Sequence, residues 1–199
     1  MWNERYSTVE YIFGTQPNDF LKEQYQHIPV GGRVLCLAEG EGRNAVFLAE
    51  QGYQVIAMDL SDVGLNKAWK LASERGVEII TQIADLADYQ FGEDEWDGII
   101  SIWAHMPETV RQYVHAQIGP ALKPNGVFIV EAYTEQQLDM EAIGGPPASQ
   151  KERFNSLGNL QTELAELEEI IGVEKQRMIS EGKHHQGLSA VVQFIGRKN

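Results

Sequence analysis

Arg33 to Asn44 reads RVLCLAEGEGRN, and the rest of the chain is organised around this stretch. Val34, Leu35, Cys36, Leu37 and Ala38 are continuously apolar, as a parallel strand covered on both faces should be. Gly40 and Gly42 follow; they permit a tight turn and let a ligand approach the backbone closely. Asn44 opens a helical run, AVFLAEQG, that stops at Gly52. The next apolar run, YQVIAMD, ends at Asp59, with Leu60 beside it. A carboxylate at the tip of a second strand can accept hydrogen bonds from both hydroxyls of a ribose. A glycine turn followed by that acid describes a nucleoside-cofactor site.

Working outward, residues 1–30 carry many aromatics: Trp2, Tyr6, Tyr11, Phe13, Phe20 and Tyr25. Asn18 or Asp19 caps an expected helix through FLKEQYQHI. The segment reads either as cover for the sheet or as a lid in which Trp2, Arg5 and Tyr6 close over bound ligands. Downstream, Ser61 caps a helix that stops at Gly76, with Leu65, Ala68, Trp69, Leu71 and Ala72 at helical spacing. Strands are expected at 77–83 and 96–102, joined by a crossover too short and irregular for a clear helix. A helix from about Pro107 to Ile118 leads to a Lys123-Pro124-Asn125-Gly126 turn and a fifth strand, VFIVEAY. The alternation implies a mainly parallel α/β sheet with helices on both faces. Residues 134–158, containing Gly144-Gly145-Pro146-Pro147, read as a loop insertion. A helix over 159–171 follows, then two strands, VEKQRMIS and SAVVQFIG. Their short connection, EGKHHQG, requires a hairpin and hence an antiparallel pair.

The whole chain sets further bounds. Its 199 residues suit one domain over 1–199, and its net charge is −13. So acidic a chain is unsuited to nucleic acid, which demands clustered Lys and Arg, and to anionic membranes. The start, MWNERYSTVEYIFG, lacks the apolar core of a signal peptide, and no stretch is long and apolar enough to span a bilayer. A single cysteine, Cys36, excludes an internal disulfide. These features fit a cytoplasmic protein acting on a small molecule. Nothing in the sequence sets an oligomeric state.

Five parallel strands, a helix and a terminal antiparallel pair resemble the class I S-adenosylmethionine (SAM) methyltransferase fold. That resemblance implies a Rossmann-like seven-stranded mixed sheet of order 3-2-1-4-5-7-6, with strand 7 antiparallel. AEGEGRN resembles the family's glycine-rich first motif, Asp59 its ribose-binding acid, and Asp85 the acid that contacts the adenine amino group, with Leu86 beside the ring. LKPNGVFIV resembles its fifth-strand turn. Trp2, Arg5 and Tyr6, with Gly42-Arg43-Asn44, resemble the tellurite-resistance and thiopurine methyltransferase-like branch. The resemblance implies SAM as cofactor, S-adenosylhomocysteine as product, and Glu39, Gly40, Gly42, Arg43, Asn44, Asp59, Leu60, Asp85, Leu86 and Ser101 around them. One departure stands out: Cys36 replaces an aspartate common in the first strand, so Glu39 is expected to bind the methionine ammonium or organise the turn.

The residues leave a rival open. Gly40-x-Gly42-x-x-Ala45 also satisfies a dinucleotide fingerprint, which would make the chain an NAD(P)-dependent oxidoreductase. A SAM-binding protein without catalysis is a third reading. In open α/β sheets, ligands bind at the carboxyl ends of the strands. That rule brings His105, Tyr133 and His185 to the acceptor side. His105 is the candidate general base, while Arg43 pairs with an acidic ligand group or forms a structural salt bridge. His184 and His185 lack ligand spacing for a metal, and none is expected. The family resemblance puts tellurite, selenite or a small thiol first among acceptors, and an O- or N-methylated metabolite second.

Overall fold

The computed structural model describes residues 2–199. Its seven strands form one sheet: β1 (Arg33–Cys36), β2 (Gln54–Asp59), β3 (Ile80–Ile83), β4 (Trp96–Ile102), β5 (Leu122–Tyr133), β6 (Glu168–Glu181) and β7 (His185–Arg197). The order is β3-β2-β1-β4-β5-β7-β6. β1 to β5 pair in parallel, and β7 runs antiparallel to both β5 and β6. This is the Rossmann-like mixed sheet implied by the resemblance.

Period-two alternation divides the core between the two faces. Val34 and Cys36 of β1 face one way with Val55, Ala57, Ile100 and Ile129. They are covered by α2 (Asp19–Gln24), α3 (Arg43–Glu50) and α4 (Asp62–Arg75) through Leu21, Leu48 and Leu65. Leu35 and Leu37 face the other way with Ile56, Ile99 and Phe128. There α5 (Glu108–Ala121) and α6 (Leu157–Glu163) supply Val114, Ile118 and Leu160. The short N-terminal α1 (Trp2–Tyr6) lies against α4.

Local chemistry sets the element ends. The Ser61 side chain accepts from Gly64 N at the start of α4, and Gly76 closes that helix in the left-handed region. Asn18 caps α2 by accepting from Leu21 N. Three expectations need correction. α6 ends at Glu163, and Ile170 and Ile171 belong to β6, whose residues pair with β7 from Glu168 onward. Lys123–Gly126 is a bulge within β5: Leu122 pairs with Trp96 and Val127 with Gly98, so the four residues loop out between those partners. The β6–β7 connection is only Gly182-Lys183-His184, because both strands extend further than their apolar cores.

Candidate cofactor and acceptor site

β1 to β5 point their carboxyl ends toward one edge, and the glycine turn opens there. Gly42 adopts φ 89° where a Cβ would stand 2.4 Å from that of Ala68, so only glycine lets α3 pack this closely on α4. Ala38 adopts φ 47° with a side chain that disfavours that region. The Glu39 carboxylate accepts from Asn44 N and Ala45 N, at 2.9 and 2.8 Å, and caps α3. Burial pushes its pKa up to about 7 against those donors. Of the two roles expected of Glu39, organising the turn is the one visible here.

Asp59 is 7% exposed. One carboxylate oxygen accepts from Gly40 N and the other from Ser61 N, each at 2.8 Å. The acid thus ties the glycine turn to the β2–α4 corner, and each oxygen retains a lone pair. Beside it, Leu60 is 55% exposed and Ile83 65%. Asp85, also exposed, accepts from Ala87 N through Oδ1. Among the described residues its Oδ2 has no partner. Leu86 packs partly against the core beneath. Apolar side chains left in water around a half-free carboxylate fit a purine with its amino group. Ser101 lies inside β4, buried, one residue short of the edge.

The N-terminal segment covers this edge. Tyr6 is buried against Gly40 and Gly64, and Trp2 stacks on it with centroids 5.6 Å apart. The Arg5 guanidinium lies over the rings of Trp2 and Phe13, at 5.3 and 5.5 Å. Glu41 accepts from Ile12 N at 2.8 Å and pairs with Lys67, which also donates to the Thr8 and Glu10 carbonyls. The Asn44 side chain accepts from Asn18 N, and Arg43 donates to the Gln16 carbonyl. The side chains of Glu41, Arg43 and Asn44 therefore hold residues 12–18. For Arg43 and Asn44 the visible side-chain contacts are therefore with the chain itself.

Arg43 continues to Glu181 at 2.6 Å, a structural salt bridge. Glu181 also accepts from Trp103 Nε1, Asn18 Nδ2 and Arg177 Nη2, at 2.7, 2.9 and 3.0 Å. Glu131, fully buried, accepts from Arg177 Nε and Nη2, Gln193 Nε2 and Asn18 Nδ2, all within 2.7 Å. Both carboxylates thus have four donors, and two cations balance two anions. Burial pushes the Glu181 carboxyl up, but Arg43, Trp103 and Arg177 outweigh it and hold it low. The sequence reading missed this network. A glutamate inside the apolar run VFIVEAY was the available signal, since a buried charge demands a partner.

Four aromatic rings stand beside the network. Trp103 stacks on Tyr133 at 4.5 Å and on His185 at 5.2 Å, and Tyr133 stacks on His105 at 5.4 Å. The Tyr133 hydroxyl and His185 Nδ1 lie 2.7 Å apart. Burial lowers the His105 pKa to about 4 and, with Arg43 nearby, that of His185 to about 3. His105 Nε2 accepts from Tyr133 N at 3.1 Å. Its basic lone pair is therefore engaged by that amide.

The strand order and the reversed β7 define the chain's class: it has the fold of the class I SAM-dependent methyltransferases. Residues 34–126 match the family described as "Methyltransferase domain". A doubly wound dinucleotide-binding sheet has the order 3-2-1-4-5-6 without the reversed insertion, so the NAD(P) alternative lacks its fold. The 2-heptyl-1-hydroxyquinolin-4(1H)-one methyltransferase of Mycobacteroides abscessus is 26% identical over 140 residues, 69% of this chain and 62% of that protein. The chain thus spans about three fifths of that curated relative. TehB from Haemophilus influenzae superposes with a TM-score of 0.67 at 16% identity, covering 100% of this chain and 66% of that one. A Burkholderia thailandensis 1,6-didemethyltoxoflavin-N1-methyltransferase, solved with 1,6-didemethyltoxoflavin and S-adenosylhomocysteine bound, gives 0.64 at 19%, covering 92% and 77%. No helix of the described residues is long and apolar enough to cross a membrane.

Proposed function

We propose that the chain binds SAM at the carboxyl edge of β1–β3 and transfers its methyl group to a small molecule. The observation that carries this reading is the set of groups around Asp59. A carboxylate anchored to the glycine turn adjoins exposed Leu60 and Ile83 and the half-free Asp85. Asp59 is placed for the ribose, Asp85 for the adenine amine, and the Ala38–Gly42 backbone for the amino-acid tail. SAM, once bound, supplies a methyl already activated on a sulfonium. The protein's share is alignment of the acceptor and exclusion of water, and the segment of Trp2, Arg5 and Tyr6 serves the second need. The relatives named above for quinolone and toxoflavin methylation support a small acceptor. The motif resemblance of Trp2, Arg5 and Tyr6 with Gly42-Arg43-Asn44 keeps tellurite, selenite and small thiols in the first screen.

Calorimetric titration with S-adenosylhomocysteine and, separately, NAD tests the reading. Micromolar binding of the first and none of the second is expected. Asp85→Ala, on an exposed turn, should weaken it about tenfold, the scale of one hydrogen bond to a charged group. NAD binding without S-adenosylhomocysteine binding would overturn the reading. Binding without turnover across the acceptor screen would leave a SAM-binding protein that does not catalyse.

A further inference from the structure

The geometry points to a planar aromatic acceptor that stacks on Trp103. This rests on the methyl-transfer reading above and narrows it.

The first observation is strain. Trp103 adopts φ 58° directly after β4, where a bulky side chain is a genuine outlier. Such a conformation persists only where surrounding structure over-determines it, and it concentrates at functional sites. Here the determinants are visible. Trp103 N donates to the Glu131 carbonyl, and its indole N–H donates to Glu181. Glu181 is itself fixed by Arg43, Arg177 and Asn18. Residues from α3, β6 and the N-terminal segment thus converge to hold one indole ring at the ligand edge.

The second observation is what that ring is held among. Trp103, Tyr133 and His185 lie within 24° of parallel with one another, as do Trp103, Tyr133 and His105. Tyr133 and His185 are buried, while Trp103 remains partly exposed. The wall therefore leaves part of one indole ring open to solvent, with Tyr133 and His185 stacked on it and the Arg177 guanidinium 5.9 Å from its centroid. Phe13 from the N-terminal segment closes on His185 at 4.8 Å.

The third observation concerns charge. An oxyanion acceptor needs a cation free to pair with it. Arg43 and Arg177 are engaged by Glu131 and Glu181, and the two histidines are neutral near pH 7. Arg5, over the rings of Trp2 and Phe13, has no ion pair among the described residues, and Arg153, close enough to His105 to help lower its pKa, has a buried Nε without a hydrogen-bond partner. The two guanidinium groups and two carboxylates beside Trp103 thus cancel, and the indole itself suits the face of an uncharged ring. In the reaction, the ring's hydroxyl or nitrogen gives a lone pair to the methyl carbon. The carbon–sulfur bonding pair stays on sulfur as the neutral thioether of S-adenosylhomocysteine, and the acceptor's proton passes to water.

The test is methyl transfer from labelled SAM to 4-hydroxyquinoline, sodium selenite and 2-mercaptoethanol, with S-adenosylhomocysteine affinity measured in parallel. The ring compound should be methylated at a kcat/KM at least tenfold above the other two. Trp103→Ala should lower that value roughly 10–100-fold, mostly through KM, as loss of one stacking partner does. S-adenosylhomocysteine affinity should change less than threefold, and Trp103→Phe should restore most of the activity. Thermal unfolding of both variants separates this from misfolding. Equal or faster methylation of selenite or the thiol overturns the inference, as does an unimpaired, folded Trp103→Ala. Tight S-adenosylhomocysteine binding with no methylation of the ring compound overturns the acceptor assignment alone. Failure of wild type to bind S-adenosylhomocysteine overturns both readings.

Discussion

Ala38 stands at φ 47° in a turn whose neighbours Gly40 and Gly42 are also left-handed. An L side chain there costs about 1–2 kcal/mol, partly offset by the smaller entropy of an unfolded alanine. Ala38→Gly should therefore stabilise by about 1 kcal/mol and raise Tm by roughly 2–4 °C for a chain of this size. A lower Tm by calorimetry would show that the alanine makes a compensating contact. Glu39 gives a second residue-scale expectation, in pH. Its carboxyl titrates at about 7 when folded against 4.5 when free, chiefly through burial. The folded state holds the proton over that interval and the unfolded state does not, so this group's contribution to stability falls as pH rises from about 4.5 to 7. Glu39→Gln should flatten that limb of the Tm–pH curve, and an unchanged curve would exclude the shift. At this scale the sequence was partly legible. The glycine turn and Asp59 were found because they are local and ordered by type. The partners of Arg43 and Asn44, Glu181 and Asn18, were not legible because they lie 138 and 26 residues away.

The N-terminal segment is an element built almost wholly of borrowed bonds. Its helices are one to two turns long, too short to be stable alone, so side chains elsewhere must hold it. Glu41 is central, accepting from Ile12 N and Phe13 N while pairing with Lys67. Glu41→Ala leaves those donors without an acceptor, at a cost of about 1–3 kcal/mol. Hydrogen exchange at the Ile12 and Phe13 amides should accelerate several-fold or more, while exchange in β1 and β4 is unchanged. Uniform acceleration across the sheet would instead mean that Glu41 supports the global fold. Other elements show why boundaries were harder to read. Leu160, Leu164, Leu167 and Ile171 satisfy a helical period, yet β6 begins at Glu168. What decided the boundary was the 13-residue β7, whose exposed side needs a partner along its whole length. That demand is non-local, and no window over 159–171 contains it. The Lys123–Gly126 bulge was similarly seen as turn chemistry, correctly as to Asn125 at φ 67°, but its strand pairing on both sides was not.

Across the whole molecule, the surface carries most of a net charge of −13, while the interior holds a balanced set of two carboxylates and two guanidinium groups. That set joins the N-terminal segment, α3, β5, β6 and β7, elements far apart in sequence. Its topology also explains why the terminal antiparallel pair matters to the site: the strand reversal of β7 lets β6 run parallel to β5 and bring Arg177 and Glu181 to the ligand edge. A buried pair of this kind is weak evidence of net stability, because desolvation offsets attraction, but breaking it from one side leaves a charge unpaired. Arg177 donates two hydrogen bonds to Glu131, which is 0% exposed, and one to Glu181. Arg177→Met should therefore destabilise by about 3–5 kcal/mol, a Tm loss on the order of 10 °C. Glu131→Gln in that background removes the orphaned charge and should recover part of the loss, giving a coupling energy above about 1 kcal/mol in a double-mutant cycle. If the two substitutions simply add, the carboxylate and guanidinium are not coupled, and the interior charges serve the site alone. If they couple, the same network that holds the sheet's late strands together also fixes the Trp103 ring through Glu181.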